Sequence, residues 1–407
     1  MKRSTDRILT THTGSLHRPA DLEEMFLRKY TGLSFNPKAL EARLRSAVAE
    51  VVKKQAELGV DIVDDGEFGK ISFWTYAENR IRGIERRPLA PAKDTFFRRA
   101  AQSASSGSDR ERFAQFYSDT ESPEGANIPP SLVQLYMPVG TAYDPPASFA
   151  VVGPLEYDPA EIRQDIENMK LAVRDCKVEE VFMPVTAPGM FVTRNNNEYY
   201  KTEDEYYQAV ADVFRQEYLE IVRAGFILQV DDVSLPGRHR LLAQQGDSKG
   251  FERWAARAVE ALNHALRDIP EDKVRYHMCW SAHNAPHTDD APLEEIFEPL
   301  MKIKAQAYQI EAANPRHEHE YHVWEKRKLP EGKILMPGIV GHATNVIEHP
   351  EAVAERILRY TNAVGRENVV AATDCGFRWR VHPQIAWAKL QVLAEGARIA
   401  TRKLYPH

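Results

Sequence analysis

The chain has 407 residues, of which 43% are hydrophobic and 28% charged, so it can bury one large core, and its formal net charge of −6 argues against a phosphate backbone as partner. No stretch approaches the roughly 20 apolar residues of a membrane span, and the opening "MKRSTDRILTTHTGS" lacks a secretion-type apolar core. The expectation is a cytoplasmic protein acting on small molecules, without nucleic acid or membrane, and its three cysteines (Cys176, Cys279 and Cys375) are too few and odd in number for a disulfide framework.

In chain order, short β-branched or apolar runs ending in polar residues recur. They are "ILTTHTGS" (8–15), "VDIVDDGE" (60–67), "VEEVFMPVT" (178–186), "FILQVDD" (226–232), "VRYHMCW" (274–280), "AQAYQIEA" (305–312), "ILMPGIVGH" (334–342) and "NVVAATDCG" (368–376). Amphipathic stretches at 38–58, 203–223, 251–267, 350–364 and 382–402 lie between them. Eight strands alternating with helices predict an α/β protein, a single (β/α)8 TIM-type barrel spanning 1–407. A ninth run, "ASFAVVGPL" (147–155), is surplus and is expected as an extra strand or lid support. The Ser-, Gly- and Pro-rich segment 70–146 breaks the rhythm and reads as a long insertion after the second strand, over one barrel end. Its aromatics Phe73, Trp74 and Tyr76 are expected to help cover the mouth; the other reading is a contact between copies of the chain in a homo-oligomer.

Barrel enzymes carry their reactive groups at the C-terminal strand ends. There, His277 and Cys279 lie two apart and so on one side of a strand, with Glu311 and Cys375 at the ends of two others. One imidazole, two thiols and one carboxylate form a donor set suited to tetrahedral zinc, whereas each residue alone would read as core packing. Cys176 follows the charged helical stretch "LAVRD" and is left out. His317 and His319, also two apart but at a helix start, should face different ways and read mainly as a solvated or rim-packed helix end.

"HMC" (277–279), "IEAAN" (310–314), "TDCG" (373–376), "THTGSLHRP" (11–19) and "VDDGEFGK" (63–70) together resemble the catalytic barrel of cobalamin-independent methionine synthase, over about residues 8 to 400. "CWSAHNAPHTDDAPLEEI" and "AQAYQIEAANPRHEHE" are more similar to the epoxyalkane:coenzyme M transferase branch of that superfamily. The resemblance implies Zn2+ held by His277, Cys279, Glu311 and Cys375, and a small-molecule thiol that attacks an alkyl donor as thiolate. Glu311, the hardest ligand, is the candidate to yield when sulfur enters. In the family pattern Gly14 and Ser15 would hold the carboxylate of an amino-acid thiol, Glu67 and Asp231 its amino group, and His342 would protonate the leaving group. The chain departs from the pattern at "DDVSL" (231–235), where the proline is missing, which weakens homocysteine as the thiol. The second barrel of the long methionine synthases has no counterpart, which weakens folate as the donor. Arg378 and Arg380, with Arg238 and Arg240, are available for an anionic substrate group. The expected function is zinc-dependent S-alkyl transfer, most simply methyl transfer from a folate-type or other donor. Epoxide opening by a thiol and a redirected lyase or specialised-metabolism reaction are the alternatives, and a non-catalytic zinc or thiol sensor is disfavoured because it would need no such mouth.

Overall fold

In the computed structural model, residues 1–73, 75–88, 108–116, 147–280 and 286–406 are described. Their strands are β1 (Leu9–Thr10), β2 (Ile62–Val63), β3 (Ile81–Pro88), β4 (Ala147–Tyr157), β5 (Glu180–Thr186), β6 (Asn195–Asn197), β7 (Ile227–Asp232), β8 (Val274–Met278), β9 (Ala307–Glu311), β10 (Ile334–Val340) and β11 (Val370–Thr373). Eight of them form one parallel sheet in the order β1-β11-β10-β9-β8-β7-β5-β2, and a bridge between Thr11 and Ile62 joins its two ends. This is the (β/α)8 barrel, and each of the eight anticipated runs supplies one strand.

The two-residue period of a strand sorts the barrel interior into layers. Leu9, Ile62, Phe182, Ile227, Ala307, Ile334 and Val370 pack together as an apolar floor. Two residues further along β7, β8 and β9 comes a buried polar layer: Arg275 donates to Thr11 Oγ1 (2.9 Å), the His12 carbonyl (2.6 Å) and Gln309 Oε1 (2.8 Å), with Phe182 packed 3.7 Å beneath its guanidinium. Gln309 in turn donates to Thr13 Oγ1 (2.7 Å) and the Thr373 carbonyl (2.9 Å). Two residues further still, the same faces present Asp231, His277 and Glu311. Outward residues such as Val230, Tyr276 and Ile310 bury against the helices.

The helices form where the sequence supplies both a stripe and a start signal. Pro37–Leu58 begins on Asn36, whose side chain accepts from the Lys38 and Ala39 amides, and ends on Gly59 at φ 87. Its inward face, Leu40, Leu44, Val48, Val51 and Gln55, follows the helical repeat. Gln55 there bonds His12 Nε2 (2.7 Å), the Asp64 amide (3.1 Å) and the Asp64 carbonyl (2.8 Å), tying the helix to the first two strand ends.

The surplus run is a strand. β4 pairs antiparallel with β3 and parallel with β6, a three-stranded sheet beside the barrel, so the insertion extends past residue 146. Arg80, 1% exposed, fastens its start by pairing with Asp165 (2.6 Å), Glu217 (2.8 Å) and Glu161 (3.2 Å) on the helices Ala160–Val173 and Glu203–Arg223. Trp74 and most of 89–146 lie outside the described residues, but Asp109 is described and bonds the loop after β8: its amide donates to Asp289 Oδ2 (2.6 Å), and the Thr288 amide donates to its Oδ2 (2.9 Å).

Candidate active site

At the C-terminal mouth, the donor atoms of His277, Cys279 and Cys375 lie within 4.8 Å of one another. The two sulfurs are 3.7 Å apart. His277 is 2% exposed, and neither ring nitrogen has a hydrogen-bond partner among the described residues. Burial, assisted by the Arg275 charge beneath, pushes its pKa down to about 3, so the ring is neutral and both lone-pair chemistry and orientation favour coordination. Cys176 takes no part: its thiol donates to the Ala172 carbonyl (3.3 Å) at a helix end.

Glu311 is not gathered with these three. Its carboxylate accepts from the Trp280 amide (2.8 Å) and Asn314 Nδ2 (2.9 Å), and it belongs to a second cluster with His342 and Asp374, again within 4.8 Å. Burial raises the pKa of both carboxyls, Asp374 strongly so, with Glu311 as the next cause. Asp374 Oδ1 accepts from the Ala312 (2.7 Å) and Ala313 (2.9 Å) amides and so fixes the turn after β9. Sequence reasoning missed Asp374, although it stands inside the quoted "TDCG". His342 is fully buried with both ring nitrogens lacking a hydrogen-bond partner among the described residues, and burial holds it well below the usual imidazole range, hence neutral.

The opposite wall carries the remaining anticipated residues. Gly14 has φ +133, and a Cβ there would lie 3.0 Å from both Asp64 Oδ2 and Glu67 Oε1, so the position requires glycine. The Ser15 carbonyl accepts from the Phe377 (2.9 Å) and Arg378 (3.2 Å) amides, clamping the Gly14–Ser15 turn to the segment after Cys375. Glu67 is buried at φ 59, a left-handed conformation unusual for a non-glycine residue. Asp231 accepts from Gln229 Nε2 (2.8 Å), and its carboxyl is pushed well above the ordinary range by burial and then by Glu67. Lys70, whose ammonium bonds the Pro184 carbonyl, partly offsets that charge.

The arginines separate. Arg378 is buried and locked on Glu23 (3.0 and 3.1 Å), so it is not presented to the mouth as the sequence suggested. The half-buried Arg380 makes no ion pair among the described residues, and its charge faces Cys375, Cys279 and Glu311. Arg240 stands 3.9 Å from Asp290, and Arg238 lies over the Trp254 ring at 5.8 Å.

His319 is exposed, whereas His317 is 2% exposed, which corrects the solvated reading for that residue. It stacks on Trp280 (centroids 3.9 Å) and bonds Asp290 (3.0 Å) through Nε2 and Glu320 (2.9 Å) through Nδ1. Those two carboxylates outweigh its burial and raise its pKa to about 9.

The barrel and the cysteine–histidine cluster at its mouth, whose donor atoms could hold a metal ion, define the class as a (β/α)8 barrel protein with a candidate metal centre. Residues 184–398 match the catalytic domain of cobalamin-independent synthase, and the chain belongs to that family. It is 23% identical to 2-hydroxypropyl-CoM lyase of Xanthobacter autotrophicus, over 98% of this chain and 96% of that protein. It is likewise 23% identical to methionine synthase of Thermococcus kodakarensis, over 97% and 94% of the two chains. A B12-independent methionine synthase from a Shewanella species, solved in complex with selenomethionine, shares the fold at a TM-score of 0.69 and 18% identity, over 98% of this chain and 99% of that one. No described helix is long and apolar enough to cross a membrane.

Proposed function

We propose that the protein is a zinc-dependent thiol S-alkyltransferase, most simply one that methylates the sulfur of a small amino-acid thiol. The observation that carries this reading is the triad itself. Two sulfurs each about 2.3 Å from a tetrahedral zinc stand roughly 3.8 Å apart, and Cys279 and Cys375 are 3.7 Å apart beside a buried imidazole whose ring nitrogens have no hydrogen-bond partner among the described residues. His277, Cys279 and Cys375 would hold the ion, with Glu311 as the fourth, labile donor, since its two hydrogen bonds offer it a place to withdraw to. Zinc bound there would supply Lewis acidity, lowering the pKa of an entering thiol and presenting its sulfur as a nucleophile.

The chain's own groups would then bind and orient. Glu67 and Asp231, two buried carboxylates compensated only in part by Lys70, suit the ammonium of an amino-acid thiol, and the Gly14–Ser15 turn suits its carboxylate. Asp231 persists although its neighbours depart from the family phrase. His342, neutral and buried beside Glu311 and Asp374, would accept a hydrogen bond or pass on a proton as charge develops during transfer. The segment 70–146 would cover the mouth and exclude water that competes with sulfur; the bonds from Asp109 to Thr288 and Asp289 support this.

A second reading, epoxide opening by a sulfonate-bearing thiol, is favoured by Arg380, whose guanidinium interacts electrostatically with Cys375, Cys279 and Glu311, and by the likeness to 2-hydroxypropyl-CoM lyase. Metal analysis followed by alkylation assays with homocysteine and with coenzyme M tests both. One zinc per chain and turnover of either thiol supports the class, and absence of metal and of turnover rejects it.

A further inference from the structure

Glu67 follows Gly66, itself at φ 69, and both sit in the left-handed region that non-glycine residues avoid. A residue such as Glu67 stays there only where its surroundings impose it. Within the turn, the Gly66 amide donates to Asp64 Oδ1 (2.9 Å) and the Glu67 amide to Asp65 Oδ1 (2.8 Å). Residues 64–71 belong to no strand, so the carbonyls of Phe68, Lys70 and Ile71 have no ladder partner, and buried carbonyls need donors. Two arginines from other strand ends supply them. Arg18, after β1, donates through Nε to the Phe68 carbonyl (2.8 Å) and through Nη2 to the Lys70 carbonyl. Arg378, after β11, brings Nη1 to 3.4 Å from the carbonyls of both Lys70 and Ile71. A single carboxylate joins the two guanidiniums. Glu23, on the helix Ala20–Tyr30, accepts from Arg18 Nη1 (3.1 Å) and from Arg378 Nη2 (3.0 and 3.1 Å). Arg18 and Arg378 are 7% and 5% exposed, so the ion pairs are shielded from water, and either arginine left without Glu23 would be a buried charge beside a second one.

We propose that Arg18, Glu23 and Arg378 form a brace of positioning residues that fixes Glu67 to receive the ammonium of the thiol substrate. This rests on the thiol-alkylation reading above, in which Glu67 and Asp231 hold that group. The brace ties the segments after β1, β2 and β11 to one point, and the Glu67 carboxylate is set against the first of them, since a Cβ on Gly14 would lie 3.0 Å from its Oε1. Its charge matters as well as its geometry: burial raises the pKa of the Glu67 carboxyl, and Lys70, Arg378 and Arg18 each draw it back. Asp231 is held from a different strand, by Gln229 on β7. Loss of the brace therefore removes one of two carboxylates from the ammonium and leaves the metal-binding side of the mouth in place.

The test compares wild type, Glu23→Gln, Arg378→Met and, as the benchmark, Glu67→Gln, all reconstituted with zinc. Zinc content is measured first, then the affinities for homocysteine and for 4-mercaptobutanoate, the same thiol without its amino group, by calorimetry. The wild type is expected to bind homocysteine at least about tenfold more tightly than 4-mercaptobutanoate. Glu23→Gln and Arg378→Met should keep one zinc per chain and bind 4-mercaptobutanoate within about twofold of wild type, while homocysteine affinity falls at least about tenfold, as in Glu67→Gln. Unchanged homocysteine affinity in either brace variant overturns the proposal. So does an equal loss for the two thiols, whether or not zinc is lost with it, because that is the signature of a general collapse of the mouth. A wild type that binds both thiols equally takes Glu67 out of ammonium recognition and overturns the proposal with thiol alkylation still standing; a wild type that binds neither overturns both.

Discussion

Replacing His317 by Gln removes a buried charge whose worth follows from its surroundings. The imidazolium bridges Asp290 and Glu320, and its pKa of about 9 in the folded chain compares with about 6.5 unfolded. A raised pKa means that the stabilisation is complete below about pH 6.5 and disappears as the pH climbs through 9. At pH 7 the linkage amounts to about 2–3 kcal/mol, and by pH 9.5 most of it is gone. The side chain is 3% exposed, so solvent screening takes little of this away. Urea unfolding of wild type and His317→Gln at the two pH values isolates the effect, because every other titrating group is common to both. Between pH 7 and 9.5 the wild type should lose about 2 kcal/mol more than the variant. Parallel pH dependences would show that His317 is neutral and that its carboxylate partners do not act as described.

Cys279→Ser and Cys375→Ser should each abolish stoichiometric zinc while leaving the far-ultraviolet circular dichroism of the barrel unchanged; full retention in either variant would remove that residue from the ligand set. Arg80→Met strands Asp165 and Glu217 as buried charges and should cost about 3–5 kcal/mol in urea unfolding; a loss below about 1 kcal/mol would mean the carboxylates relax to solvent. Gly14→Ala places a methyl 3.0 Å from Glu67 and Asp64 at a φ that alanine avoids; thiol affinity should fall at least about tenfold with zinc content intact, and unchanged affinity would separate this turn from the thiol.

The barrel was legible because parallel strands are buried on both faces and therefore appear as near-continuous apolar runs, which Val230, Tyr276 and Ile310 outside and Ile227, Ala307 and Ile334 inside illustrate. His277 and Cys279 were legible as a pair because strand geometry alone puts i and i+2 on one face. What spacing could not supply is the partner from a distant segment. His317 becomes a buried cation only because Asp290 arrives from another loop, and Arg378 turns inward only because Glu23, 355 positions earlier, meets it. Glu311 was read as the labile fourth ligand; the Trp280 amide and the Asn314 side chain hold it in a cluster with His342 and Asp374, a residue whose chain neighbour Cys375 drew the attention. The pairing of β3 with β4 was equally out of reach, since the long intervening segment hides which edge meets which.

On the proposed function, the triad holds a zinc whose remaining coordination is open to substrate sulfur. Zinc K-edge absorption of the purified protein, recorded with and without homocysteine or coenzyme M, addresses it directly. Two sulfur neighbours are expected, from Cys279 and Cys375, rising to three on addition of the true thiol, with one oxygen neighbour lost as Glu311 withdraws. A metal-free protein, or a zinc whose shell is unchanged by a thiol that the enzyme alkylates, would contradict it.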